Sequence, residues 1–414
     1  MINYSQFELA NGLKVIVHQD KSTSLAAMNL LYNVGSRDED QDKTGFAHLF
    51  EHLMFGGSKN IDNYDEPLQK VGGENNAFTT PDITNYYLTV PSINLETGFW
   101  LESDRMLSLS FSPTVLEVQR KVVIEEFKQR YLNQPYGDTW LKLRPLAYKT
   151  HPYQWATIGK EISHIENASI DDVREFFFKF YRPNNAILVV AGNVDTDDVK
   201  RLCAKYFEPI PIGEKYVRNL SKELMQKDER YMEIVADVPL NAFNKVFHMP
   251  ARNHPDYHAI DLLCDLLGHG NSSRLYDQLV KKRKLFNSIG SFVTGSLDPG
   301  LFGISGKLNE GVSFDDANSA FWEVVEALKG DEVALEELRK VKNQAQTSAE
   351  FGEVELLNRA MNLATATVRG NPELVNLEKK SIDKVTTTEI QEVANQILTK
   401  SNCSTLYYKS KSAA

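Results

Sequence analysis

The sequence is poor in cysteine. Its three copies, Cys203, Cys264 and Cys403, are widely separated and form no CxxC pair. This scatter argues against both a disulfide framework and a cysteine zinc cluster, so we expect reduced thiols. Basic residues do not outnumber acidic ones, and the net charge is −10. A nucleic-acid-binding protein would normally carry a basic surplus, so the charge argues against that class.

Long apolar runs are also missing. No uncharged stretch approaches the roughly 18 residues that a membrane span needs. The N-terminus, MINYSQFELANGLKVIVHQD, lacks the basic-then-apolar layout of a signal peptide. We therefore expect a cytoplasmic protein, or a periplasmic one if a leader has been removed. The 414 residues, 42% hydrophobic and 25% charged, are typical of a globular chain long enough for two domains.

The two halves of the chain repeat one order of predicted strands and helices. HLFEHLMFG (48–56) aligns with DLLCDLLGH (261–269), and each precedes a second helix. A proline- and charge-rich stretch separates the halves. We predict an α+β fold with two homologous domains, each a mostly antiparallel sheet packed with helices. Their predicted bounds are 1–212 and 227–414, with a linker at 213–226.

The stretch GFAHLFEHLMFGG (45–57) reads as a core helix that contains three polar residues, His48, Glu51 and His52. Burying unpaired polar groups costs several kcal/mol. Residues i and i+4 share one helix face, so both imidazoles can coordinate one ion. Paired imidazoles suit Zn²⁺, and Glu51 beside them could take a proton from a metal-bound water. In the aligned stretch of the second half, aspartates and a cysteine replace this trio, so only 1–212 is expected to bind zinc, one ion per chain.

A catalytic zinc usually has three protein ligands and one open position. In PTVLEVQRKVVIEEFKQRY (113–131), Val115, Val118 and Val122 form an apolar stripe whose next position is Glu126. A glutamate on a core stripe needs a partner, so Glu126 is the predicted third ligand. The adjacent Glu125 is expected on a solvated face and is the less favoured alternative.

The HxxEH order is that of the inverted zinc motif, and the wider sequence resembles the pitrilysin/insulysin family of metallopeptidases. It is most similar to half-length members such as bacterial processing proteases and mitochondrial processing peptidase. The resemblance rests on GFAHLFEHLMFGGS, GGENNAFTT, VVIEEFKQR, RPNNAILVVAGNVD and GNSSRLYDQL. It implies a zinc endopeptidase with His48, His52 and Glu126 as ligands and Glu51 as general base.

The resemblance also implies a substrate-binding edge strand. Asn75, Asn76, Ala77 and Phe78 match the family segment whose backbone pairs with an extended peptide. Reading ENNAF as only a turn that feeds a strand stays equally open. Many relatives carry an auxiliary glutamate two turns before the third ligand. Gln119 stands there in this chain, which puts that auxiliary role in doubt.

One departure concerns the second domain. Active relatives use an arginine and a tyrosine there to hold substrate and steady the oxyanion, but Val280 and Asn287 occupy those positions here. Oxyanion donors contribute several kcal/mol to transition-state stabilisation. We therefore predict a heterodimer in which a homologous subunit supplies the Arg/Tyr pair to a shared chamber, with a homodimer as the alternative. A catalytically inactive structural or peptide-binding subunit is the rival interpretation.

Overall fold

The computed structural model describes residues 1–331 and 333–411. The strands in this part of the chain are β1 Ser5–Glu8, β2 Lys14–Gln19, β3 Leu25–Tyr32, β4 Glu74–Thr79, β5 Thr84–Pro91, β6 Ala186–Gly192, β7 Arg230–Ala236, β8 Ala242–Met249, β9 Phe286–Val293, β10 Gly300–Leu308 and β11 Cys403–Ser410.

The α-helices are α1 Phe46–Leu53, α2 Asp65–Lys70, α3 Leu95–Leu107, α4 Pro113–Phe127, α5 Thr139–Ala147, α6 Ile162–Glu166, α7 Ile170–Phe180, α8 Thr196–Tyr206, α9 Tyr257–Gly268, α10 Phe314–Gly330, α11 Leu335–Gly352, α12 Leu356–Val368, α13 Leu374–Lys384 and α14 Thr387–Ile397. Short 3₁₀ turns cover Ser36–Asp38, Ser92–Asn94, Pro152–Gln154, Pro183–Asn185 and Lys400–Asn402, and π-helical turns cover Lys128–Leu132 and Tyr276–Lys282. No helix among the described residues is both long enough and apolar enough to cross a membrane.

The first compact unit is built on a six-stranded sheet. Its strand order is β1-β2-β6-β3-β5-β4, and only the β2–β6 pair is parallel. The turn at Asn11-Gly12 joins β1 to β2, and Gly12 takes the positive φ of +84° that such turns favour. The central strand β6 is buried along its whole length, so the sheet is covered on both faces.

The second compact unit repeats this topology. Its five strands have the order β7-β11-β8-β10-β9, again with one parallel pair, β7–β11. Strand for strand, β7, β11, β8, β10 and β9 take the places of β2, β6, β3, β5 and β4. Helix α9 packs beside β9, as α1 does beside β4. The predicted α+β class and the two related, mostly antiparallel domains are confirmed.

The units differ from the contiguous bounds predicted from the sequence. The first comprises Met1–Lys128, Trp155–Ser221 and Glu350–Leu377; the second comprises Gln129–Gln154, Lys222–Ala349 and Glu378–Ala414. The boundary after Ser221 does fall inside the predicted linker. Each unit, however, takes one helical segment from the other half of the sequence.

Apolar packing explains both exchanged segments. Helix α12 packs on β3 and β6 of the first sheet, where Ala360, Leu363 and Ala364 join a core cluster with Leu31 and Val189. Helix α5 packs in the same way on β7, β8 and β11 of the second sheet. A sequence pattern shows that such a helix has an apolar face, but it does not show which sheet receives that face.

Candidate metal centre

Helix α1 carries the polar trio at the edge of a buried apolar helix. It begins after Gly45, whose φ of +87° strongly favours glycine. A Cβ at Gly45 would lie 2.7 Å from the carbonyl oxygen of Ile158. The side chains that pack into the core are Phe46, Ala47, Leu49, Phe50 and Leu53. They fix the helix so that the polar residues face away from the core.

His48, His52 and Glu126 converge. The Nε2 atoms of His48 and His52 each lie 3.6 Å from Oε2 of Glu126. The imidazole rings are nearly perpendicular, at 88°, with centroids 4.9 Å apart. The three side chains are 14%, 23% and 18% exposed, respectively, so the group borders solvent without being immersed in it.

This donor set fits a zinc ion. Zn–N and Zn–O bonds of about 2.0–2.2 Å in a tetrahedron put ligand atoms roughly 3.3–3.5 Å apart. One candidate ligand atom from each residue lies within 4.8 Å of the other two, and the two His–Glu separations are already near the ideal. Of all the described residues, only these form a group of three or more histidine, cysteine or acidic side chains suited to a metal.

The location of Glu126 was predicted, but the stripe used to find it is wrong. Val118 and Val122 are 50% and 43% exposed, so they are not part of the core face of α4. The residues that α4 buries are Leu116, Val123 and Phe127. Glu126 is half-buried because it faces α1, while Glu125 is exposed. Gln119 lies two turns before Glu126, on the same face of α4, and is also half-buried.

Glu51 points toward the neighbouring edge of the sheet. Thr79, the last residue of β4, donates a hydrogen bond from Oγ1 to Glu51 Oε2 at 2.6 Å. Burial raises the pKa of Tyr87 on β5, and the nearby Glu51 carboxylate raises it further. Glu51 is thus held between the histidine pair on its own helix and the β4–β5 hairpin. Sequence reasoning missed Thr79, although it directly follows the predicted strand segment.

Asn75, Asn76, Ala77 and Phe78 lie on β4, which is the outermost strand of its sheet. The Ala77 N–H donates to Oδ1 of Asn76 at 2.8 Å rather than to β5. Because the N–H and C=O of one strand residue point the same way, the peptide groups of Asn75, Ala77 and Thr79 face the open edge. The segment is therefore a strand with an open edge, and not only a turn.

A buried ion pair lies against the residues that follow α1. Arg105 on α3 is 1% exposed and makes two hydrogen bonds to Glu102, at 2.6 and 2.8 Å. Its guanidinium also lies 4.4–5.3 Å from the ring centroids of Phe55, Tyr64 and Tyr86. These contacts brace the residues that follow α1. The sequence analysis missed this pair, although the two opposite charges stand at i, i+3 spacing in LETGFWLESDRML.

The second unit has no comparable site among its described residues. Asp261, Cys264 and Asp265 lie on α9, and burial raises the pKa of Asp261 to about 6 and that of Cys264 to about 12. Val280 lies in a π-helical turn and packs against the core of this unit. Asn287 is exposed on β9. Neither Val280 nor Asn287 can act as a cationic clamp or a phenolic donor.

Comparison with known proteins agrees with this fold. A family model described as "Insulinase (Peptidase family M16)" matches residues 14–142, which include the trio and Glu126. A second, "Peptidase M16 inactive domain", matches residues 167–345. The chain is 34% identical to zinc protease PqqE of Helicobacter pylori over 340 residues, 81% of this chain and 76% of that protein.

Solved structures give the same result. A protease from Helicobacter pylori has a TM-score of 0.93 at 29% identity and covers 99% of this chain and 100% of its own. A peptidase M16 inactive domain from Pseudomonas fluorescens has a TM-score of 0.89 at 18% identity, with 98% of each chain covered, and this likeness concerns the fold alone. The chain therefore belongs to peptidase family M16, the insulinase family, whose half-length, two-domain fold it has, and its relatives are named zinc proteases.

Proposed function

We propose that this chain is a zinc-dependent endopeptidase that cleaves peptides or unfolded segments. The observation that carries the proposal is the convergence of His48, His52 and Glu126, whose ligand atoms lie within 4.8 Å of one another. Glu51 directly precedes His52 on α1. Two neutral imidazoles and a carboxylate leave one tetrahedral position open, which is the arrangement of catalytic rather than structural zinc. We propose one ion per chain, since one such group lies among the described residues.

The residues of the chain divide the chemistry between them. Bound there, zinc would polarise the scissile carbonyl and lower the pKa of a coordinated water to about 7. Glu51 would take the proton of the attacking water and pass it to the leaving amine. Thr79 holds Oε2 of Glu51 by its 2.6 Å hydrogen bond and so orients the carboxylate.

Substrate would bind along β4. The outward peptide groups of Asn75 and the carbonyl of Ala77 offer main-chain partners to an extended peptide, and main-chain pairing accepts many sequences. Phe78 is 37% exposed and would contact a substrate side chain. A peptide paired with β4 would run past Thr79, and hence past the carboxylate of Glu51.

A homologous partner would complete the site. Val280 and Asn287 leave the second unit without a cationic clamp or a phenolic donor, so we propose that a related subunit supplies both groups to a common chamber. The test is peptide turnover by the purified chain alone and after mixing with a homologue that carries the Arg/Tyr pair. Robust turnover by the chain alone would contradict the heterodimer and favour the homodimer.

The same two residues favour a second candidate, an inactive subunit that binds peptides without cleaving them. The intact metal group argues against it, because half-burying three ionisable side chains is unfavourable without a bound ion.

One substitution separates the two candidates. Glu51→Gln should leave zinc content unchanged and abolish turnover of an unstructured peptide by the complete assembly. Undiminished turnover would refute Glu51 as the base. Absence of turnover in the wild-type assembly, with zinc bound, would favour the inactive subunit.

A further inference from the structure

Three consecutive charged residues before α1 are buried, which is unusual for a loop. Arg37, Asp38 and Glu39 are 3%, 8% and 8% exposed. Buried ionisable groups need partners, and each of the three is anchored to a different part of the first unit.

Glu39 binds the N-terminus of α1. Its Oε2 accepts the N–H of Gly45 at 3.0 Å, and its Oε1 accepts the N–H of Ala47 at 2.8 Å. The indole N–H of Trp155 also donates to Oε2, at 3.1 Å. Gly45, the N-cap residue, has no side chain that could satisfy these backbone donors, so a carboxylate from an earlier turn takes the role of the cap.

The neighbouring charges fix this turn in place. Asp38 accepts hydrogen bonds from Nε and Nη2 of Arg218 at 2.7 and 3.1 Å. Arg37 pairs with Asp82, with Nη1 and Oδ1 3.0 Å apart. The backbone N–H of Ser36 donates to the carbonyl of Thr80 at 3.2 Å.

The anchors connect two elements that the proposed chemistry needs at a fixed spacing. Thr80 and Asp82 belong to the turn between β4 and β5, directly after Thr79. Glu39 belongs to the same short segment and holds α1. The segment therefore ties the start of the metal-binding helix to the end of the substrate strand.

We propose that Glu39 is a positioning residue that sets the orientation of α1, and with it the direction in which His48 and His52 present their Nε2 atoms. The inference rests on the proposed function, since it concerns the same metal centre. Ala47 and His48 are adjacent in the first turn of α1. Loss of the Glu39 bonds would let this turn fray, and the first imidazole would lose its fixed direction.

Glu39→Gln tests the inference in the full chain. The amide keeps one acceptor but turns an N–H₂ toward a backbone N–H, so one bond to α1 is lost. Asp42→Asn is the matched control, because Asp42 is an exposed carboxylate of the same segment. Trp155→Phe removes the indole N–H that donates both to Glu39 and to the carbonyl of Ser36, at a buried position, and provides a second variant.

Amide hydrogen exchange is measured first, in metal-free protein, so this part does not depend on zinc binding. In Glu39→Gln we expect the amides of α1 to exchange about tenfold faster, as for other helices that lose a cap, while those of β6 stay at the wild-type rate. Zinc affinity, measured by chelator competition, should fall about 10- to 100-fold, as when groups that orient metal ligands are removed. Trp155→Phe should shift both values in the same direction, and Asp42→Asn should shift neither.

Wild-type exchange in α1 and wild-type zinc affinity in Glu39→Gln would overturn the positioning role. Faster exchange throughout the first unit, β6 included, would also overturn it, because Glu39 would then support general stability. If no variant and no wild-type protein binds zinc, the proposed function fails, yet selective exchange in α1 would still identify Glu39 as the residue that holds this helix.

Discussion

Replacing Glu126 by glutamine is the sharpest test of the metal centre, because its neighbour Glu125 provides a control one residue away. Both changes remove one negative charge from the end of α4. Only Glu126 lies 3.6 Å from the two imidazoles, whereas Glu125 is exposed. Glu126→Gln should therefore weaken zinc binding, and Glu125→Gln should not.

The magnitude follows from the number of ligands. Four-ligand structural zinc sites bind with about 10–16 kcal/mol, or roughly 3 kcal/mol per ligand. A site with three protein ligands that loses one should therefore weaken by about 100-fold or more. A chelator of known affinity, titrated against each purified variant, measures this change directly, and peptide turnover at limiting zinc should fall in parallel.

Two results would refute the reasoning. Wild-type affinity in Glu126→Gln would show that the carboxylate does not bind the metal. A loss of zinc affinity in Glu125→Gln, with Glu126→Gln unaffected, would show that Glu125 and not Glu126 is the third ligand. Circular dichroism of both variants controls for helix loss in α4.

Two further predictions concern the support of α1. Thr79→Val should lower kcat about tenfold or more with KM unchanged, because a hydrogen bond to a charged group contributes about 1.5–3 kcal/mol. Thr79→Ser keeps the hydroxyl and should retain the wild-type kcat. Equal kcat values for the Val and Ser variants would exclude a role for the hydroxyl. Phe50→Ala should destabilise the first unit by about 3–5 kcal/mol in urea unfolding, because the Phe50 ring is fully buried and stacks on Tyr181 at 5.2 Å. The control Phe178→Ala, at an exposed ring, should cost about 1 kcal/mol or less, and equal losses for both variants would contradict the packing argument.

The shared face of His48 and His52 was predictable from local sequence because helical geometry fixes it. Residues at i and i+4 share a face in any helix, so His48 and His52 needed no tertiary information. Glu126 was found in spite of a wrong premise. Val118 and Val122 fit an apolar stripe by spacing, yet the core takes Leu116, Val123 and Phe127 instead. Periodicity shows which residues share a helix face, but it does not show which face the core covers.

Contacts that depend on the fold were beyond the sequence. Glu39 reads as one acid in an acidic loop, and only the path of the chain brings it to the N–H groups of Gly45 and Ala47. The exchange of α5 and α12 between the two units depends in the same way on which sheet has room for an apolar helix. The predicted bounds 1–212 and 227–414 therefore differ from the membership of the two compact units.

Anomalous diffraction at the zinc absorption edge, from crystals grown without chelator, tests the central claim most directly. The account predicts one strong peak per chain in the first unit, within bonding distance of Nε2 of His48, Nε2 of His52 and the carboxylate of Glu126. A well-ordered site without a peak after zinc is supplied, or a peak bound by other residues, would contradict it.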